Sequence, residues 1–144
     1  MRKTIAVAVL LVLGAAAQSA AQQSTLHDAR VGEWAIYVTA GGNMHERHSV
    51  VARRPMVVVV RIDQIINGKV INSRTENFNI EHPAFMSGQF AGEDVANVGG
   101  RTYSCFVILQ GNRRLLFSHE VPVTGLVVEF RGGAPLREVV DFGY

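Results

Sequence analysis

After the first 21 residues, apolar and polar positions fall into short β-rich runs divided by turn-forming residues, and no segment has a convincing helical period. Residues 33–40, EWAIYVTA, alternate and end at Gly41-Gly42-Asn43. Residues 48–53 form a second run, stopped by Pro55. Residues 56–66, MVVVVRIDQII, are dense in β-branched side chains, which fit a pleated surface. Asn67-Gly68 follows, and both residues tolerate the positive φ of a two-residue hairpin turn. Residues 69–80 return as a more polar strand. Strands are predicted again at 101–110, 113–121, 123–131 and 136–142, punctuated by Gly111-Asn112, Pro122 and Gly132-Gly133. The exception is 82–98, HPAFMSGQFAGEDVANV, which has no clean period; it predicts a long loop with a short helix around Glu93 to Val98. About eight short strands with tight connections predict a mainly β fold. The expected architecture is an antiparallel meander curled into a curved sheet, half-barrel or barrel.

The hairpin around Gly111-Asn112 allows a register to be written. With those two residues in the turn, Gln110 faces Arg113, Ile108 faces Leu115 and Phe106 faces Phe117, on one face with Ser104 and His119. The other face carries Tyr103, Cys105, Val107 and Leu109 opposite Glu120, Ser118, Leu116 and Arg114. Both faces carry apolar residues, whereas a half-exposed antiparallel sheet shows one polar face. The pair is therefore covered on both sides, by another layer, a partner chain or an apolar ligand. In the last hairpin a three-residue loop, 132–134, sets Phe130 against Leu136, Glu129 against Arg137 and Val127 against Val139.

Composition places the chain outside the cytoplasm. Arg2 and Lys3 precede an apolar run from Ile5 to Leu13, then small residues and Gln18-Ser19-Ala20-Ala21. This is the layout of a secretory signal peptide over residues 1–21, with Ser19 and Ala21 before the cut. The run falls short of the ~20 apolar residues a bilayer span needs. The mature chain, 22–144, is expected as a single soluble domain in a bacterial periplasm or outside the cell, with no membrane span. Arg2 and Lys3 leave with the signal, so the mature chain has 12 basic residues against 12 acidic ones. No basic run remains beyond Arg53-Arg54 and Arg113-Arg114, read as solvated strand ends, which excludes the electrostatic footprint of nucleic-acid binding. Cys105 is the lone cysteine, so no disulfide forms within the chain; it is either buried or paired with another chain.

Candidate chemistry is sparse. GGNMHERHSV, 41–50, resembles the zinc-protease pattern His-Glu-x-x-His with one residue missing. His45 and His48 are three apart, and on a strand such positions point to opposite faces. A third ligand would also be needed. The two histidines are therefore weak metal candidates and are expected on a polar hairpin tip that meets solvent. Cys105 and His119 suggest a nucleophile and base, but the hairpin register places them on opposite faces. Ser118-His119-Glu120 alternates sides and forms no relay. There is no Gly-x-Ser-x-Gly elbow and no phosphate loop, so the sequence supports no enzyme and implies no cofactor. Trp34 and Tyr37 are read chiefly as core anchors, with pocket lining as the alternative. Phe85, Met86 and Phe90 form either a lid over an apolar cavity or a plug for one open end of the sheet. With Tyr103, Phe106 and Phe117 these aromatic and apolar residues make up the candidate ligand-binding set.

Two segments, VGEWAIYVTAG and HEVPVTGLVVEF…LREVVDFG, resemble a group of small exported bacterial proteins of unknown function. The resemblance covers about half the mature chain. It implies a bend between strands at Pro122 and Gly125 and implies no activity. The strand-rich, signal-bearing layout is also similar to periplasmic lipoprotein carriers, curved antiparallel half-barrels that hold acyl chains, although clear capping helices are lacking here. The leading expectation is an exported, non-catalytic protein that binds a lipid or other apolar or amphipathic ligand within a curved sheet. The alternative is a structural or interaction module of the cell envelope, with a homo-oligomer or an envelope protein as partner. A metal-dependent enzyme using His45 and His48 stands third.

Overall fold

Nine antiparallel strands and two single-turn 3-10 helices account for the regular structure in the computed structural model, which describes residues 24–144. The signal segment expected at 1–21 lies outside the described residues. The strands are β1 (Trp34–Thr39), β2 (His45–Arg53), β3 (Val57–Ile66), β4 (Lys69–Asn79), β5 (Gln89–Val98), β6 (Arg101–Gln110), β7 (Arg113–Phe117), β8 (Leu126–Arg131) and β9 (Ala134–Gly143). They form one open, curved sheet in the order β4-β3-β2-β1-β9-β8-β7-β6-β5. The first and last strands therefore meet in the middle, and β4 and β5 are the two edges. Residues 80–88 connect one edge to the other.

The expected antiparallel meander is present, with one strand more than its punctuation indicated. The extra strand is β5, Gln89–Val98, where a loop and a helix near Glu93 were expected. A register shift between Phe90 and Glu93 breaks its alternation, and β6 supplies the ladder partners that the local sequence does not advertise. Asn67 and Gly68 both adopt positive φ, 51° and 74°, as the hairpin turn requires.

The β6–β7 register pairs Phe106 with Phe117, Ile108 with Leu115 and Gln110 with Arg113, as expected. It stops at Phe117: Ser118, His119 and Glu120 lie in the turn beyond it, so the strand expected to 121 is shorter. In the last hairpin Glu129 faces Arg137 as expected, but Phe130 faces Pro135 rather than Leu136 because a bulge comes after Glu129. Tyr103, Cys105, Val107 and Leu116 on one face are buried, and so are Phe106, Ile108, Leu115 and Phe117 on the other. The chain covers both faces itself. The β5–β6 hairpin curls until β5 touches β8 and β9, and the Arg101 guanidinium stacks 5.1 Å from the Phe142 ring.

One end of the sheet is closed by the 3-10 turn Thr25–Asp28. Ser24 Oγ accepts from the Leu26 amide, Leu26 is fully buried, and Thr25 Oγ1 donates to the Thr124 carbonyl at 2.7 Å. Arg53 donates from Nη1 to the carbonyls of Leu26 and Ala29. Arg114 pairs with Asp94, and Arg113 with the buried Glu129. Arg53 and Arg113, read as solvated strand ends, thus tie the fold, while Arg114 stays exposed with its partner Asp94, as expected. The basic pairs are where strands end, and strand ends are where the chain must be tied.

Candidate ligand cavity

The edge-to-edge connection lies across the inner face of the sheet. Its second 3-10 turn, Ala84–Met86, sets the Phe85 ring edge-on to Phe78 of β4, with centroids 5.0 Å apart. The same ring lies 5.9 Å from Phe117 of β7, and Phe117 in turn stacks on Phe106 at 5.6 Å. Gln110 holds the segment down: its Nε2 donates to the Phe85 carbonyl at 3.1 Å and also to the Ser87 carbonyl. Gly88 has φ +129°, and a Cβ there would collide with the Leu109 carbonyl oxygen, so the segment rests directly on the β6 backbone.

Beneath Phe85 is a cavity of about 300 Å³. Ile62, Phe78, Leu115, Phe117 and Leu126 make its apolar wall; His48, Arg74, Glu76, Arg113, Thr124 and Arg137 its polar one. Strand alternation explains the set. His48 faces Ile62 across β2 and β3, Ile62 faces Arg74 across β3 and β4, and Leu115 faces Glu129 across β7 and β8.

The polar wall is a connected network. Arg113 Nε donates to Glu129 Oε1 at 2.5 Å, Arg137 Nε to Glu129 Oε2 at 3.1 Å, and Arg137 Nη1 to Glu46 Oε1 at 3.3 Å. Glu46 Oε1 also accepts from His48 Nε2 at 3.0 Å. Glu129 is 1 % exposed and meets two guanidinium groups, the condition under which a buried carboxylate is tolerated. Burial lowers the His48 pKa, against the pull of the Glu46 carboxylate, so the imidazole is neutral at neutral pH. Glu46 is held below the ordinary carboxylate range, first by the His48 hydrogen bond. His48 Nε2 therefore carries the proton, and Nδ1 keeps a lone pair. That Nδ1 is buried with no hydrogen-bond partner among the described residues. Tyr37 is fully buried beside the network, 4.9 Å from the His48 ring, and its hydroxyl lies 3.4 Å from Thr124 Oγ1. Burial pushes that phenol up to about 12.

The structure separates the residues that the sequence analysis grouped. Phe85 and Phe117 line the cavity, Tyr37 lies against its polar wall, and Phe106 stacks behind Phe117. Phe90 is half-buried on β5, and Met86 faces a neighbouring groove with Ile108. Trp34, three positions from Tyr37, is turned to the outer face, where Arg47 lies over its ring at 5.1 Å. Tyr103 also lies away from the cavity, under Arg101. His45 and His48 point to opposite faces, as expected, but His48 does not meet solvent: it is 4 % exposed. A hairpin tip whose strands are this long folds its second histidine into the wall. Among the described residues no three His, Cys, Asp or Glu side chains converge as metal ligands.

Cys105 and His119, expected on opposite faces, border one open groove of about 450 Å³, because β7 ends before His119. The thiol is buried and its pKa is pushed up to about 11 by that burial, which leaves it a poor nucleophile. Glu46, Glu129 and the three arginines are not among the residues expected in a site, and His48 is expected only as a metal candidate with His45. Their sequence signal is that Glu46, His48 and Val50 share one face of a strand, and that Glu129 interrupts the apolar run Leu126–Phe130 opposite Arg137.

Comparison with protein-family models, curated protein sequences and solved structures found no match to the chain.

Proposed function

We propose that this is an exported, non-catalytic binding protein that holds a small amphipathic molecule on the inner face of its sheet. The observation that carries the reading is the cavity of about 300 Å³ under Phe85, apolar on one side and polar on the other. That volume is at the lower end of small-molecule sites, which run from ~300 to ~1,000 Å³. It suits a ring or a short chain rather than a multi-acyl lipid. Phe85 acts as the lid, tethered by Gln110. Native mass spectrometry of the chain purified gently from a bacterial periplasm tests the reading. A small added mass is expected, and Ala84→Trp, which places an indole at the cavity mouth, should lose it. A bare chain whose Leu115 and Leu126 methyl resonances ignore added toluene and phenol overturns it.

A second reading, an envelope interaction module, rests on a different observation. Strand β4 is a long free edge, and Val70 and Ile71 on it are more than half exposed. The face around Cys105 and Val107, expected to serve as a subunit interface, is already buried by the chain itself. A monomer on sizing columns that captures no envelope protein through β4 removes this reading.

A further inference from the structure

If the cavity under Phe85 is a binding site, its walls narrow the class of ligand, and the ligand class rests on that reading. We infer that it takes a small neutral molecule with a hydroxyl group on an apolar body, and that the hydroxyl donates to His48 Nδ1. Three observations converge. First, Nδ1 is the one buried side-chain polar atom without a partner among the described residues; it is closed to solvent while another edge of the imidazole lines the cavity, so a hydroxyl reaches it when the ring tilts toward the opening. An unsatisfied buried acceptor costs free energy until a donor reaches it. Geometry makes Nδ1 the acceptor, because Nε2 is committed to Glu46.

Second, the arginines of the polar wall are already paired. Arg74 is joined to Glu76 on the wall, and Arg113 and Arg137 are joined to Glu129 and Glu46 behind it. A charged ligand would displace one of these pairings, whereas a neutral one leaves them intact. Third, the other wall is aromatic. Phe78, Phe85 and Phe117 offer ring edges and faces to an apolar body. A hydroxyl also accepts, and the guanidinium groups of Arg113 and Arg137 on the same wall retain N–H groups not bound to Glu129 or Glu46.

Phenol and toluene make the test, since they differ by a hydroxyl in place of a methyl. Binding is read from the Leu115 and Leu126 methyl resonances of the wild-type protein and of His48→Gln. Glutamine keeps an N–H donor near the Nε2 position for Glu46 but lacks the Nδ1 acceptor. The expected result is that both probes bind the wild type, and that the phenol-to-toluene affinity ratio falls about tenfold in the variant, the scale of one buried hydrogen bond. A second readout needs no variant: in wild-type protein labelled with ¹⁵N-histidine, the unprotonated Nδ1 signal of His48 should move with phenol and not with toluene. If both probes bind but the ratio and the Nδ1 signal are unchanged, the hydroxyl assignment is overturned and the cavity reading stands. If neither binds, both fall.

Discussion

His48 is held in an environment that shifts its titration. Burial keeps its folded pKa below the ordinary 6.5, so between the folded value and 6.5 the unfolded chain binds the proton and the folded chain does not. Stability from this group is complete above about pH 6.5 and is lost as pH falls below it. Glu46, also held low, adds a further loss below its ordinary 4.5. Urea unfolding midpoints of the wild type should therefore drop between about pH 7.5 and 5, and those of His48→Gln should drop less. Curves that fall together would show that the imidazole is not shielded. The buried Glu129 is a matter of pairing between strands. Its two arginines come from β7 and β9, so the carboxylate is satisfied only when three strands are in register.

At the scale of elements, the loop between β7 and β8 ties the cavity floor to the N-terminal 3-10 turn. Thr124 lines the cavity while its carbonyl accepts from Thr25, and the adjacent Val123 has φ 68°, a costly conformation for a β-branched residue. Gly125 makes the close approach: at φ +76°, a Cβ there would collide with Thr25 Cγ2 and stand 3.0 Å from the Ser118 carbonyl oxygen. Gly125→Ala should lower the unfolding free energy by about 1–3 kcal/mol in denaturant titrations, through strain and displacement of the 3-10 turn. A variant as stable as the wild type would mean that the turn can move away freely. The bend implied at Pro122 and Gly125 thus coincides with the place where the sheet end is sealed.

The whole molecule is a sheet covered on one face by its own edge-to-edge connection and on the other by its curled β5–β6 hairpin. Cys105 reports on that closure. The residue is 5 % exposed and its thiol pKa is pushed up to about 11, so it should resist a thiol reagent at about pH 8 and react only through opening of the β5–β6 hairpin or global unfolding. The labelling rate should rise with urea in parallel with unfolding. Rapid labelling in native buffer would show that the hairpin opens on its own.

Several levels of this architecture are legible along the chain. Alternation at 33–40, the β-branched run at 56–66 and the glycine and asparagine turns mark eight of the nine strands, because period-two burial and positive φ are local demands. The β6–β7 register comes from one two-residue turn, and its two apolar faces announce that both would be covered. Phe117 is visible as a cavity candidate from that hairpin, and Phe85 from its place in the long 82–98 segment. Strand β5 is not legible, because its bulge breaks the alternation and its ladder comes from β6. The network of Glu46, His48, Arg113, Glu129 and Arg137 is not legible either: its members come from four strands, and β1 and β9, at opposite ends of the described chain, must pair before β2 and β8 can share it. Local periodicity tells a side chain which face to take. Only the pairing of distant strands decides what it meets there, and so where a histidine is left with a lone pair facing no partner.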